Sequence, residues 1–193
     1  MAGDSVPPGK IAVLKFDPAK TTIDYSLSGW PHSPHGTFKL KRGLIRVDPA
    51  TGRMEGLIVV DAASGNSGNS MRDARMRDTV LEAGRFPEIT FAPEQVESHG
   101  NPQGEFPIVV RGVMSLHGGK HPFTISARVR RDGDQVSIKC NFVIPYVDWG
   151  LENPSILMLK VSKEVEIGVT ATAELSWASP APTAAHADSP RAP

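Results

Sequence analysis

The sequence predicts an all-β fold, in which antiparallel strands form a closed barrel or a sandwich around one core. Three observations support this prediction. The chain has 193 residues, enough for one well-buried core but few for two. Apolar and polar residues alternate between residues 10 and 177, which places alternate side chains on opposite faces of a strand. Short turn-forming segments separate the alternating runs, as they do in antiparallel hairpins.

The first half of the chain contains four alternating segments. They cover residues 11–16, 21–27, 35–47 and 54–62. In the third of them the apolar positions change from even numbers (Phe38 and Leu40) to odd numbers (Ile45 and Val47). A strand keeps one apolar face across such a change only if it contains an extra residue. We therefore expect a β-bulge close to Gly43.

The second half of the chain contains five more alternating segments. They cover residues 89–96, 108–116, 123–130, 135–144 and 164–175. The last is the clearest, because Val165, Ile167 and Val169 alternate with Glu166. The first is weaker, because Pro93 interrupts it and has no backbone N–H to donate. We expect eight or nine strands in total.

Turn-forming residues lie at 48–52, 100–104, 118–119 and 132–134, so consecutive strands are expected to pair. So many amphipathic strands need a sandwich or a closed barrel to cover their apolar face and their edges. Cys140 lies among the alternating apolar residues of segment 135–144 and has no second cysteine to pair with. We interpret it as a buried filler.

Two segments depart from the strand pattern. Residues 61–69 are small and predict a loop, and residues 70–83 predict a helix capped by Asn69 or Ser70. The apolar side chains of that helix are Met71, Met76, Val80 and Leu81. Residues 147–160 form an apolar connection interrupted by Gly and Pro. Two interpretations stay open for it, a lid or plug of the barrel and a plain closure of the core.

The two ends of the chain differ in composition from the predicted domain. Residues 1–10 are polar and rich in proline, and we expect a flexible N-terminus rather than the apolar core of a signal peptide. Export stays open, because a mature form without its signal would look the same. Residues 178–193 are rich in Ala, Pro and Ser and predict a disordered tail. The barrel domain is therefore predicted to cover residues 11–177.

The charge and the hydropathy of the chain exclude two classes of partner. Lysine plus arginine and aspartate plus glutamate both count 21, so no net field attracts a nucleic acid backbone. No stretch approaches the roughly 18 to 20 apolar residues that span a bilayer as a helix. We expect neither nucleic acid binding nor a membrane span.

Two histidine pairs suggest a metal site at first sight. His32 with His35 and His117 with His121 have suitable spacing, but no Cys, Asp or Glu set of recognised spacing accompanies them. A metal site would require both pairs to meet at one rim.

Residues 65–68 match neither of two functional motifs. They lack the Gly-x-Ser-x-Gly frame of a serine nucleophile elbow, and no Lys-Ser/Thr follows them as in a phosphate-binding loop. We predict no catalytic residue, no metal and no enzyme activity.

Four motifs occur in order between residues 12 and 176. The first is residues 23–27 followed by Gly36-Thr37-Phe38, and the second is residues 72–77 followed by residues 85–91. The third, and most specific, is residues 112–118 followed by 122–124, and the fourth is residues 147–150 followed by 163–165. Together they resemble the YceI-like family of polyisoprenoid-binding, lipocalin-like barrel proteins.

The resemblance implies an eight-stranded antiparallel lipocalin-like barrel with one short helix, whose apolar interior holds the isoprenoid tail of a quinone-like lipid. It also implies export to the periplasm or secretion, with the cytoplasm as the alternative. The chain departs from the family at Arg75, where relatives often have His, and at Trp149, where Phe is usual. These departures concern the identity of the ligand more than the fold.

The predicted ligand site combines an apolar lining with one polar contact. The lining is Phe38, Val60, Met76, Phe91, Met114, Ile125, Ile138, Phe142 and Trp149. Arg75 is expected to hold a polar head group, although Arg72, Arg75 and Arg77 also fit a solvated helix face paired with Asp73 and Asp78. Small inward residues, Gly112, Ala127, Ala171 and Ala173, would leave space for the ligand.

The alternative is a barrel filled by its own side chains that acts through its surface as an interaction or stress-response module. The interior volume distinguishes the two. Apart from the bound lipid we expect no cofactor. A homodimer is compatible with a small barrel, but no sequence signature indicates one.

Overall fold

The computed structural model describes residues 7–30, 32–98, 104–155 and 160–179. The strands in these ranges are β1 (Ile11–Phe16), β2 (Thr22–Ser26), β3 (Gly29–Trp30), β4 (His35–Val47), β5 (Met54–Asn66), β6 (Glu88–Ser98), β7 (Glu105–Leu116), β8 (Gly119–Asp132), β9 (Gln135–Ile144), β10 (Lys160–Val161) and β11 (Val165–Ala178). A short α-helix, α1 (Ser70–Arg75), follows β5 and continues into a π-helical turn (Met76–Val80). A 3-10 turn (Pro18–Lys20) separates β1 from β2.

The strands close into an antiparallel barrel. From β4 to β9 each of the main strands pairs with the next one along the chain, and β9 then pairs with β11. Both β1 and β2 lie between β11 and β4, so they act as one strand interrupted by the 3-10 turn. The result is a closed eight-stranded barrel, as the resemblance implied. Closure leaves no unpaired edge in the main sheet.

The predicted bulge in β4 is confirmed. The pairing of β4 with β5 shifts register between Leu40 and Arg42. Beyond the shift Gly43 is buried, and a Cβ there would lie 2.9 Å from the Ile58 side chain and 3.0 Å from the Phe16 Cβ. The extra residue therefore keeps the apolar positions on the inner face along all of β4.

The sequence predicted a loop over residues 61–69, and most of that prediction is wrong. Residues 61–66 do not form a loop, because β5 continues to Asn66, which pairs with Thr37 of β4; only residues 67–69 connect β5 to α1. The polar side chains support this extension: Ser64 Oγ donates to the Asp61 carbonyl and accepts from the Lys39 N–H. Small residues predicted a loop, but here they are the residues that fit against a neighbouring strand.

The predicted helix 70–83 is shorter than expected. Asn69 caps it, since its side chain accepts a hydrogen bond from the Arg72 N–H at 3.0 Å. After Arg75 the backbone hydrogen bonds join residues farther apart in the chain than in an α-helix. The Leu81 N–H donates to the Met76 carbonyl, and the Ala83 N–H donates to the Arg77 carbonyl. This wider helical turn directs the chain inward, and Val80 and Leu81 are buried there.

The two ends of the barrel differ. At the helix end, β5 leads into α1, the β7–β8 turn is short, and the connection after β9 begins. At the hairpin end, the turns after β4 and after β8 join neighbouring strands. None of the described helices is long and apolar enough to cross a membrane. Strand β11 runs through Ala178, and most of the predicted tail lies outside the described residues.

The core is divided into two clusters of buried side chains. At the helix end it consists of Val80, Leu81, Met114, Leu116, Ile144, Tyr146 and Leu151. At the hairpin end it consists of Ala12, Val129, Val136 and Leu175. Between the clusters, inward-facing residues such as Val60, Ile125 and Ile138 are only half-buried. The middle of the barrel is therefore not packed shut.

Candidate functional site

The barrel encloses a cavity of about 1740 Å³. Every main strand of the barrel contributes to its lining, and most lining side chains are apolar. The cavity reaches residues of both rims, including Arg75 at the helix end and Arg131 at the hairpin end. It is larger than the roughly 300–1,000 Å³ of a pocket for a drug-sized molecule. A long apolar molecule fits such a space.

Strand register brings two small cavity-lining side chains to one level of the barrel. Ala127 of β8 pairs with Cys140 of β9, which pairs with Val169 of β11. The same row continues through Ile23 of β2 to Phe38 of β4. All five residues line the cavity. Because the row contains an alanine and a cysteine where larger residues would meet across the barrel, space remains at this level.

Nine of the ten residues predicted for the ligand site line the cavity. They are Phe38, Val60, Arg75, Met76, Phe91, Met114, Ile125, Ile138 and Phe142. Their role as ligand contacts stays a prediction. The lining also includes inward residues of the same alternating runs that we did not single out, such as Ile58, Ile108 and Val110. The alternation of apolar and polar residues along their strands already indicated that these side chains face inward. Trp30 and Tyr146 also line the cavity, but they lie at or beyond strand ends, where no periodic signal could point to them.

Trp149, the tenth predicted residue, is not among the lining residues. Its ring stacks on the His121 imidazole with centroids 4.0 Å apart and an interplanar angle of 1°, and its edge meets Phe123 at 5.7 Å. The His121 Nε2 atom is buried and has no hydrogen-bond partner among the described residues. Trp149 therefore packs beside the core cluster of the helix end instead of facing the cavity.

The connection after β9 packs over part of the helix end. Tyr146 and Leu151 are buried in the core cluster there, and the Tyr146 hydroxyl donates to the Ser162 carbonyl at 2.6 Å. Burial raises the pKa of the Tyr146 hydroxyl. The described part of this connection thus supports the interpretation as a closure of the core, whereas residues 156–159 lie outside the described residues.

Charged residues lie at the helix-end opening of the cavity. Arg75 lines the cavity and forms an ion pair with Glu152 at 3.8 Å, which links α1 to the connection after β9. Arg72 donates to the Ser67 hydroxyl at 2.8 Å and to the Ser67 carbonyl at 3.0 Å. The Asp73 carboxylate accepts the Ser67 N–H at 2.8 Å. Two arginines are therefore held at the opening by neighbouring polar groups.

In the described parts of the chain, the two histidine pairs do not converge on one metal site. His117 contacts Glu82 and packs against Phe86 with centroids 4.7 Å apart, whereas His121 stacks on Trp149. Among the described residues, no three His, Cys, Asp or Glu side chains are grouped so as to hold a metal ion. The condition set for a metal site is not met in this part of the chain.

Cys140 gives a direct chemical probe of the cavity. Burial raises the pKa of its thiol from 9.0 to about 11, and only the thiolate reacts with alkylating agents. We expect iodoacetamide to modify Cys140 about 100-fold more slowly at pH 8 than it modifies an ordinary cysteine, since two pKa units correspond to 100-fold less thiolate. The rate should rise with pH up to about pH 11.

Mass spectrometry of the intact protein measures the rate of this alkylation. Unfolding in guanidinium is the control and should restore ordinary reactivity. Because the folded-state pKa lies above the unfolded value, this thiol favours the folded state below pH 9, and that contribution disappears as pH rises through 11. Fast alkylation of the folded protein at pH 8 would contradict the burial of Cys140 in the barrel wall.

Comparison with known proteins identifies relatives. The family model described as YceI-like domain matches residues 14–173. No curated protein matches the chain. BcnA from Burkholderia cenocepacia has a similar structure, with a TM-score of 0.67 and 17% identity over 81% of this chain and 98% of that chain. A polyisoprenoid binding domain from Saccharophagus degradans, implicated in plant cell wall breakdown, gives a TM-score of 0.65 and 18% identity over 84% and 98%. At these identities the structural likeness shows the fold alone.

Proposed function

This chain belongs to the YceI-like family, and from that membership we propose that it binds an apolar lipid of the polyisoprenoid type inside its barrel. The ligand is carried or stored and leaves chemically unchanged. One solved structure with the same fold is a polyisoprenoid binding domain, which supports this class of ligand.

The observation on which the proposal depends most is the apolar cavity of about 1740 Å³. A filled barrel that acts only through its surface has no need of such a volume, so the cavity favours the lipid-binding alternative. Its lining comes from alternate residues of all the main strands, for example Ile138 and Phe142 of β9. Such a lining selects its ligand by the ligand's apolar character and length rather than by directional hydrogen bonds.

The energy of burial is sufficient for binding. Transfer of hydrocarbon from water contributes roughly 0.8 kcal/mol per CH₂, so each five-carbon isoprene unit contributes on the order of 3 kcal/mol before entropy costs. Four units contribute about 12 kcal/mol, which leaves about 8 kcal/mol, the value of micromolar binding, after an association cost of about 4 kcal/mol. Specific polar contacts are needed only where the head group lies.

We place that head group at the helix end. Arg75 lines the cavity there and is about one-third exposed, so it is available to a polar group at the opening. Arg75 is paired with Glu152 at 3.8 Å, which lets a ligand compete for the guanidinium. Chemistry on the ligand is not part of the proposal, since the thiol of Cys140, which faces the cavity, is held in its protonated, poorly nucleophilic form.

The test of this function is mass spectrometry of an organic extract of the protein, purified from its own source cells without delipidation. We expect a prenyl lipid in stoichiometric amount. An empty extract, together with no uptake of added quinone or prenol, would overturn the proposal in favour of the surface-acting module. Fractionation of the same cells tests the periplasmic or secreted location, which stays a prediction of the family resemblance.

Ligand binding should also stabilise the folded barrel. A ligand present at 100 times its dissociation constant raises the free energy of unfolding by about 2.7 kcal/mol. For a domain of this size that corresponds to a rise in Tm of about 5–10 °C. We expect this rise with geranylgeraniol, followed by circular dichroism. Isoprenol, with a single isoprene unit, is the matched control and should change Tm by less than 1 °C at the same concentration. Equal effects of both alcohols would contradict binding along the length of the cavity.

A further inference from the structure

Two large apolar side chains are exposed at the helix end of the barrel. Met71 of α1 is 83% exposed and Trp30 of β3 is 71% exposed. They are the two most exposed large apolar residues in the described parts of the chain. Both also line the cavity. Exposed apolar residues scattered over a surface need no explanation, but two at the opening of an apolar cavity do.

The two residues lie on neighbouring parts of one rim. Trp30 belongs to the connection between β2 and β4, and Met71 follows β5 closely in the chain. Strands β4 and β5 pair at this end, where Thr37 is opposite Asn66. The topology therefore places Trp30 and Met71 on the same side of the opening.

Trp30 is held in its exposed position by backbone hydrogen bonds. Strand β3 pairs with β10, and Trp30 lies opposite Lys160 in this small sheet. The Ser162 N–H donates to the Ser28 carbonyl at 2.7 Å, directly beside the pair. The small sheet is separate from the main barrel sheet. It presents the indole ring at the rim, although the ring is not buried in the core.

An apolar path leads from these residues to the interior. Leu27 and Pro34, which flank β3, line the cavity together with Met76 just below α1. Phe38 follows on β4, and its ring lies close to Met76, because a Cβ at Gly65 would meet both side chains within 3 Å. The exposed rim and the cavity thus form one continuous apolar surface.

The charges around the rim are largely paired with each other. Arg75 pairs with Glu152, and Arg77 pairs with Asp78 at 2.7 Å. The guanidinium of Arg72 is bonded to Ser67. The chain as a whole has no net charge. Lys160 lies opposite Trp30, so the described rim has four cationic side chains (Arg72, Arg75, Arg77 and Lys160) and three anionic ones (Asp73, Asp78 and Glu152). Because neither sign is in strong excess, an anionic surface or a charged protein partner gains little from this rim, whereas an uncharged apolar phase gains contact with both exposed side chains.

We propose that the helix end docks on the surface of a lipid bilayer with neutral head groups, with the Trp30 and Met71 side chains inserted at the level of the head groups. This inference rests on the proposed function, because a lipid that is insoluble in water has to enter the cavity from a membrane. Tryptophan suits such a position, since its ring is apolar while its N–H is polar. Docking aligns the apolar path with the bilayer, so that the lipid moves without crossing water.

The test compares two double variants of the full chain. Trp30→Ser with Met71→Ser removes the apolar rim. Leu44→Ser with Leu57→Ser is the matched control, because these two residues are 47% and 37% exposed and pair with each other on the barrel wall. Co-sedimentation with sucrose-loaded phosphatidylcholine vesicles measures docking. We expect the rim variant to bind at least tenfold more weakly than the unmodified protein and the wall variant to bind equally well.

Fluorescence identifies the side chain that enters the bilayer. Vesicles of brominated phosphatidylcholine should quench the tryptophan fluorescence of the unmodified protein, and Trp30→Phe should remove most of that quenching while binding persists. Failure of the unmodified protein to bind the vesicles would overturn the inference. So would equal losses in both double variants. A third outcome would also overturn the inference. If the unmodified protein forms a dimer in solution, does not bind vesicles, and loses the dimer only in the rim variant, the rim contacts a second copy of this chain.

Loading from detergent micelles separates this inference from the proposed function. In micelles no bilayer is present, so the loss of geranylgeraniol uptake in the rim variant, whose two residues also line the cavity, should be clearly smaller from micelles than from vesicles. If uptake from micelles fails for every form of the protein, the proposed function is wrong. If uptake from micelles succeeds but uptake from vesicles is equal for the rim and wall variants, only the docking surface is wrong.

Discussion

Replacing Cys140 with tryptophan is expected to weaken the binding of a polyprenol by about 100-fold or more. Cys140 lines the middle of the cavity, in the paired row between Ala127 and Val169. An indole ring there occupies space that at least one isoprene unit would fill. Each unit contributes on the order of 3 kcal/mol, and 1.4 kcal/mol corresponds to a factor of ten in affinity. Titration with radiolabelled geranylgeraniol measures the change.

The matched control for this prediction is Lys139→Trp. Lys139 is the preceding residue of β9, so its side chain faces solvent on the outside of the barrel. The control variant should bind the prenol as the unmodified protein does. Circular dichroism and a single cooperative unfolding transition establish that both variants are folded. Unchanged affinity of the Cys140 variant, with the fold intact, would show that the ligand does not occupy the middle of the barrel.

Replacing Gly56 with alanine is expected to lower the free energy of unfolding by about 3 kcal/mol or more. Gly56 has a φ of +130°, a region that residues with a Cβ rarely adopt. A Cβ there would also lie 2.1 Å from the Leu44 carbonyl oxygen and 3.0 Å from the Ile45 Cα. Both are backbone atoms of β4, so the neighbour cannot move aside without breaking the pairing of β4 with β5. Urea denaturation measures the loss.

Gly168→Ala is the matched control for the backbone prediction. Gly168 also lies within a strand, β11, but a Cβ there would approach only the side-chain oxygen of Asn141, at 3.1 Å. That oxygen belongs to an exposed side chain that can rotate away. We expect a change of less than about 1 kcal/mol, since alanine is also the better residue within a strand. A large effect at Gly168 or a small one at Gly56 would contradict the register of these strands.

The strands could be predicted from the sequence because their signal is local. Segments 35–47 and 135–144 match β4 and β9 at both ends, and the bulge followed from a change in the parity of the apolar positions. The same alternation identified which side chains face inward. Seven of the ten predicted site residues line the cavity for this reason, and Arg75 and Met76 line it from the helical segment after β5.

The errors occurred where neighbouring segments override local preference. Residues 61–66 look like a loop on composition, yet they form the end of β5 because β4 offers a partner at Thr37. The helix ended early because burying Val80 and Leu81 required a wider turn after Arg75. Trp149 was expected in the cavity, but it stacks on His121, a contact between segments 28 residues apart in the chain. No pattern within either segment predicts that pairing.

The sequence by itself determined the antiparallel strands, the inner and outer faces of the barrel and the position of the bulge, because each depends on residues close together in the chain. The tertiary structure decided whether the interior is open and which residues surround its opening. Inward residues such as Ile125 and Val60 meet or stay apart according to the number and tilt of the strands in the closed barrel. The distance across a barrel is set by closure of the whole sheet, so no single strand encodes it. Closure therefore decided that this interior is a cavity and that Trp30 and Met71 lie at its opening.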